Sequence, residues 1–172
     1  MANGGISFEV LFKKDMKIFL RLAALILIIT AAAPAKAQLT KDSVAALVKS
    51  RSFIFYANSV DPLRGTTRFL TGNYDMKVKG DSLISYLPYF GRSQNAPLTP
   101  DETGLIFTST DFDYNFTPRK KNSWTVTFNV KDQKNLSKYI LTIYNDGSAD
   151  MMATSNFRDQ ISFRGYVRGI KK

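Results

Sequence analysis

The chain predicts a mainly β domain: an antiparallel meander forming a barrel or curled half-barrel, with one short N-terminal helix and a two-sheet sandwich as the alternative. Three observations carry this. From Ser52 onward the apolar residues recur with a period of two, the spacing of strands with one buried face. Turn signals recur every ~8–12 residues, as in sandwiches and barrels. No helical-period segment separates the strands, so the crossovers that parallel pairing needs are missing.

Each element has its own justification. In Thr40–Ser50, TKDSVAALVKS, Val44, Leu47 and Val48 fall at helical spacing and Thr40 or Asp42 can cap the start. This helix is expected to cover a sheet or plug a barrel end. SFIFYANSV places Phe53, Phe55 and Ala57 on one face, and Asp61-Pro62 is expected to end that strand. TTRFLTG reads as a second strand. In YDMKVK, Tyr74, Met76 and Val78 point inward, and Gly80-Asp81 turns tightly into SLISYLPYF. Gly91–Thr103, with Pro97 and Pro100, is the longest irregular segment and the first place to look for function. LIFTST runs on into DFDYNF, where Phe112, Tyr114 and Phe116 alternate with polar residues. SWTVTFNV is the cleanest alternation, and a one-residue slip there would bury its polar set. KYILTIY and SADMMATS flank Asn145-Asp146-Gly147, a strong hairpin signal, and QISFRGYV is a final strand. Eight or nine strands result.

Residues 1–37 read as a signal peptide. Lys13, Lys14, Lys17 and Arg21 precede the apolar run Leu22–Ala33, and Ala35-Lys36-Ala37 matches a signal-peptidase site. That run is too short for a bilayer-spanning helix, which needs about 20 residues. Met16 followed by KIFLR is an alternative start. Residues 38–172 are expected to form a single β-rich domain, periplasmic or secreted, with no transmembrane segment after cleavage. The chain contains no cysteine, so neither disulfides nor a lipidated N-terminal cysteine contribute. Its net charge is +10, yet the basic residues are scattered apart from Arg119-Lys120-Lys121. Nucleic acid is therefore not the expected partner, whereas a solvated basic surface drawn to anionic envelope polymers or lipids is.

AALVKSRSFIFYA, YDMKVKGDSLISYLPYFGRS, and FTSTDFDYNFTPRKKNSWTVTFNVKD with its ISFRGYV ending resemble, as a set, an exported bacterial family catalogued as domain of unknown function family 4251. The resemblance covers nearly the whole chain after the leader. It implies one domain in an envelope or secreted location and no assigned activity.

With no histidine and no cysteine, a Ser-His-acid triad, a histidine base, structural zinc and iron–sulfur ligation are all excluded. Asp111 and Asp113, at i and i+2 on one strand face, could bind Ca²⁺ with Asn115 or Asp75. A carboxylate-dependent glycan hydrolase is the enzymatic alternative, although Glu102, the one glutamate after the leader, lies in a loop. Plain alternation on a solvated sheet accounts for the same acids without a site. Tyr86, Tyr89, Phe90 and Arg92 around Pro88 are the candidate ligand-binding rim, against the simpler reading of a hydrophobic corner where pairing stops. Asp42-Ser43-Val44 and Asp81-Ser82-Leu83 match a bacterial O-glycosylation acceptor pattern, making Ser43 and Ser82 candidate glycosylation sites beside their simpler local roles as cap and turn. The expectation is thus an exported, non-enzymatic binding or accessory module without cofactor. Its ligand would be small and apolar or amphiphilic, or its partner an envelope protein; a structural envelope component is the third reading.

Overall fold

The computed structural model describes residues 41–93, 104–134 and 136–170, all within one compact unit, Gln38–Lys172. The predicted leader, the Thr40 cap, most of the proline-bearing loop and Glu102 lie outside the described residues. Among the described residues one helix, α1 (Lys41–Lys49), precedes nine strands: β1 (Ser52–Pro62), β2 (Arg68–Lys79), β3 (Ser82–Leu87), β4 (Leu105–Ser109), β5 (Phe112–Arg119), β6 (Ser123–Val130), β7 (Lys138–Ile143), β8 (Ser148–Thr154) and β9 (Ile161–Gly169). They form a single antiparallel sheet in the order β4-β3-β2-β1-β9-β8-β7-β6-β5. The sheet curls into a half-barrel.

The alternation read from sequence sets the inner face. Phe53, Phe55, Met76, Val78, Leu83, Val126, Phe128, Leu141, Ile143 and Phe163 are fully buried, and their strand neighbours are exposed or half-buried, except Thr125 on β6, which is buried as well. Trp124, Val126, Phe128 and Val130 all point inward, as expected from SWTVTFNV. Tight reversals supply the register. Gly80, with φ +58, opens the two-residue β2–β3 turn, and Gly147, with φ +85, closes the β7–β8 turn in the left-handed region that glycine adopts without penalty.

Two boundaries differ from expectation. β1 does not stop before Asp61-Pro62: an irregularity between Ala57 and Ser59 shifts its register against both β2 and β9. The extra residue, Asn58, resets the phase so that Val60 is buried, and Pro62 closes the strand opposite Ile161. The segments around Phe69 and Tyr74 are not separate strands but one, β2, because both pair with the two halves of β1 on either side of that bulge.

β4 and β5 are the two edges of the sheet, yet only Thr110 and Asp111 separate them in the chain. Leu105–Arg119 is therefore nearly one bent extended stretch whose first part pairs with β3 and whose second part pairs with β6. This handover forces the curl, because the two edges must meet at the bend. Interior contacts cross the concave side accordingly: the Phe107 and Tyr139 rings stack at 6.1 Å, linking β4 to β7. Ser85 Oγ donates to the Leu105 carbonyl (2.7 Å), so the fully buried Tyr139 hydroxyl donates to Ser85 Oγ (2.9 Å). Both hydroxyls are thereby satisfied in an apolar setting.

Helix α1 packs Val44 and Val48 into the core from one face. Arg51, with φ +50, takes the left-handed conformation that ends a helix. The Val48 carbonyl accepts from the Arg51 amide (3.2 Å) and from the Tyr114 hydroxyl (2.7 Å), and the Arg51 guanidinium lies over the Tyr114 ring (4.8 Å).

Candidate functional site

The aromatic corner after β3 does not form one rim. Tyr86 faces outward on the sheet, opposite Asp75 and Ile106, and its ring stacks on Tyr74 at 5.8 Å. Tyr89 turns the other way and packs against the core. Its single hydroxyl proton is shared between the carbonyls of Arg92 (2.8 Å) and Asp159 (2.9 Å), and the Arg158 guanidinium covers its ring at 5.0 Å. Burial first, then the neighbouring Asp159 carboxylate, pushes the Tyr89 hydroxyl above its usual pKa, so it stays a donor. Arg92 contributes its backbone: the Asp159 amide donates to its carbonyl (3.0 Å), and Ser93 pairs with Arg158 in an isolated bridge. Tyr89 and Arg92 therefore fasten the corner to the segment before β9.

Phe90 is 39% exposed, beneath the Arg68 guanidinium at 4.9 Å. It leads to a surface the sequence reading did not assemble. Phe69, beside Arg68, is 85% exposed; Leu63 is 60% exposed and Phe157 42%. Three links bring these segments to one end of the half-barrel. The Leu63 amide donates to the Gln160 carbonyl (3.2 Å), Arg64 faces Asp159 at 4.0 Å, and Tyr89 ties residues 89–92 to Asp159. Four large apolar side chains thus stand at the joined turns, with Arg64, Arg68 and Arg92 exposed among them. Asp61 is engaged by Arg164 (3.1 Å) and the Thr67 hydroxyl, which leaves that end net basic. The signal existed in sequence: Leu63 and Phe69 flank Arg64-Gly65 without alternating partners, as a turn does when it carries apolar tips.

The other candidates sit apart. Asp113 on β5 pairs with Lys131 (2.7 Å), and the Lys131 ammonium is held protonated above its usual range by that hydrogen bond and charge. Asp111 lies in the β4–β5 bend, where its carbonyl accepts from the Lys131 amide (3.0 Å). Asp75 belongs to β2, in the other half of the sheet. Among the described residues no three acidic side chains converge to hold a metal ion. Ser43 is exposed in the first turn of α1, and Ser82 is half-buried directly after the Gly80-Asp81 turn.

A family described as a domain of unknown function, DUF4251, matches residues 35–167. No curated protein matches. Among solved structures, the chain is similar to the crystal structure of a DUF4251 family protein from Bacteroides eggerthii DSM 20697. The two are 19% identical with a TM-score of 0.54, over 75% of this chain and 87% of that one. At that identity the likeness speaks for the fold alone.

Proposed function

We propose that this chain, which belongs to the DUF4251 family of domains of unknown function, is an exported, non-enzymatic binding module that engages an envelope protein through its apolar end. One observation carries the reading. The concave side is filled by large buried side chains such as Phe53, Phe55, Phe128, Tyr139 and Phe163, while Leu63, Phe69, Phe90 and Phe157 are left in water. A filled interior directs binding to the surface. Exposed large apolar groups gathered at one place are what a partner would cover, each fully buried side chain contributing about 1.5–3 kcal/mol. Arg64, Arg68 and Arg92 would select a partner with an acidic rim.

Two measurements test it. A photo-crosslinking residue at Phe69, in the native host, is expected to give a discrete protein adduct that disappears in the Phe90→Asp background. The same residue at Lys134 is expected to give none. Equal adducts at both positions would sink the proposal. Native mass spectrometry of the purified protein is expected to show no apolar ligand; an apolar or amphiphilic small molecule retained until denaturation would instead place binding in the interior.

A further inference from the structure

The β5–β6 hairpin carries a second surface, unrelated to the apolar end. Its turn holds Lys120, Lys121 and Asn122, with φ +61 at Lys121 and +53 at Asn122. A left-handed lysine is uncommon and disfavoured relative to glycine, so the local conformation is maintained by its surroundings. Ser123 Oγ supplies one restraint by donating to the Lys120 carbonyl (2.9 Å). The turn leans over an open groove of about 530 Å³ lined by Arg119, Lys120, Lys121, Ser123, Thr142 and Tyr144, with Pro118 at its margin. That volume lies within the roughly 300–1,000 Å³ of small-molecule sites.

The groove is charged in one sense. Its lining contains three cations and no acid. The ion pairs among the described residues use Arg51, Arg64, Lys131 and Arg164, so none of these three cations has a carboxylate partner there. The nearby acids are already engaged. Asp150 accepts from the Tyr144 hydroxyl (2.9 Å), which also fixes that ring as a wall of the groove. Asp146 accepts from the Ser148 amide (2.9 Å) and hydroxyl (2.6 Å) within its own turn. On the sheet side the groove is lined by Ser123 and Thr142. A guanidinium fork, two ammonium groups and a hydroxyl, converging on a cleft walled by a tyrosine ring and a proline, suit a multivalent oxyanion attached to a ring. We infer that this groove binds a phosphate group carried on a sugar ring, the phosphate held by Arg119, Lys120 and Lys121 and the ring laid against Tyr144.

The test is titration calorimetry on the full chain at fixed ionic strength, with inorganic phosphate, glucose 6-phosphate and glucose as probes. Both phosphates are expected to bind, glucose 6-phosphate at least about tenfold more tightly because the ring adds contact, and glucose is expected not to bind. Lys120→Gln with Lys121→Gln is expected to weaken both phosphates by about tenfold or more, and Tyr144→Leu to remove the preference for the sugar phosphate alone. These positions lie on an exposed hairpin, and unchanged melting temperatures will verify that the variants fold. Phosphate binding no stronger than that of chloride, or binding insensitive to the lysine substitutions, would overturn the site. Equal affinity for phosphate and glucose 6-phosphate would overturn the ring assignment.

Discussion

Gly165 faces the bulge in β1, paired with Ala57, the last residue before the register shifts. A Cβ there would fall on the backbone carbonyl oxygen of Tyr56, and rigid backbone cannot step aside as a flexible side chain can. Gly165→Ala is therefore expected to destabilise the protein by about 3 kcal/mol, at the upper end of overpacking costs, read as a lower denaturant midpoint with unchanged slope. Gly80 makes the comparison instructive, since it is tolerated for a different reason: its φ of +58 suits glycine while open space surrounds it. In sequence, Gly80 beside an aspartate between two strands announces a turn, whereas nothing around Gly165 announces a close approach. That requirement arises from a bulge in β1, which is distant in sequence but the immediate neighbour of Gly165 in the sheet. The same holds for Tyr89, which reads as a ring on a rim and proves to be a hydrogen-bonding anchor because Asp159, 70 residues later, supplies the acceptor.

Helix α1 and the strands beneath it depend on each other at one point. The Val48 carbonyl near the end of the helix accepts from the Arg51 amide at 3.2 Å, and the Tyr114 hydroxyl of β5 supplies a second, shorter hydrogen bond at 2.7 Å. Burial pushes the Tyr114 hydroxyl well above its ordinary pKa, against the opposing effect of Arg51, so it donates throughout the working range of pH. Tyr114→Phe removes that donor while keeping the ring against Phe128, at 5.2 Å edge to face. The expected cost is about 1–2 kcal/mol, localised: hydrogen exchange should accelerate in Val44–Lys49 more than in β7 and β8. Uniform acceleration would argue against this coupling. The helix itself was legible from Val44, Leu47 and Val48, and the hairpins from Gly80-Asp81 and Asp146-Gly147, because those signals are local. The fusion of two expected segments into β2 was not, because it depends on a long partner strand that pairs along both halves.

Three buried or partly buried tyrosines connect the core to solution conditions. Tyr139, Tyr114 and Tyr89 all have raised pKa values, with desolvation the leading cause in each. The native state keeps their protons at a pH where the unfolded chain, titrating near 10, has lost them. The folded state then binds more protons, so stability is fully present below pH ~10 and falls as the pH climbs above it. The limiting slope is about 1.4 kcal/mol per pH unit per buried tyrosine, with Tyr139 and Tyr114 dominating and the more exposed Tyr89 adding less. Denaturant midpoints are expected to drop steeply between pH ~10 and ~12, and Tyr139→Phe should flatten that drop. Because the chain has no histidine, no comparable side-chain transition is expected between pH ~5 and ~8.

The sequence by itself determined the strand faces, the antiparallel class and the exclusion of histidine and cysteine chemistry. Each follows from identity or from spacing along a few residues: Trp124, Val126, Phe128 and Val130 must share a face wherever their strand sits. Tertiary structure alone decided how the meander closes. Leu105–Arg119 hands the chain from one sheet edge to the other, a choice set by which strands its two halves can pair with. It also decided which aromatic residues remain in water. Tyr89 and Phe90 are neighbours in the chain, but only packing against the segment before β9 turns one inward as an anchor and leaves the other on the surface. The exposed apolar end formed by Leu63, Phe69, Phe90 and Phe157 comes from three separated segments of the chain. Proximity between distant segments is a property of the folded chain, and no short-range pattern encodes it.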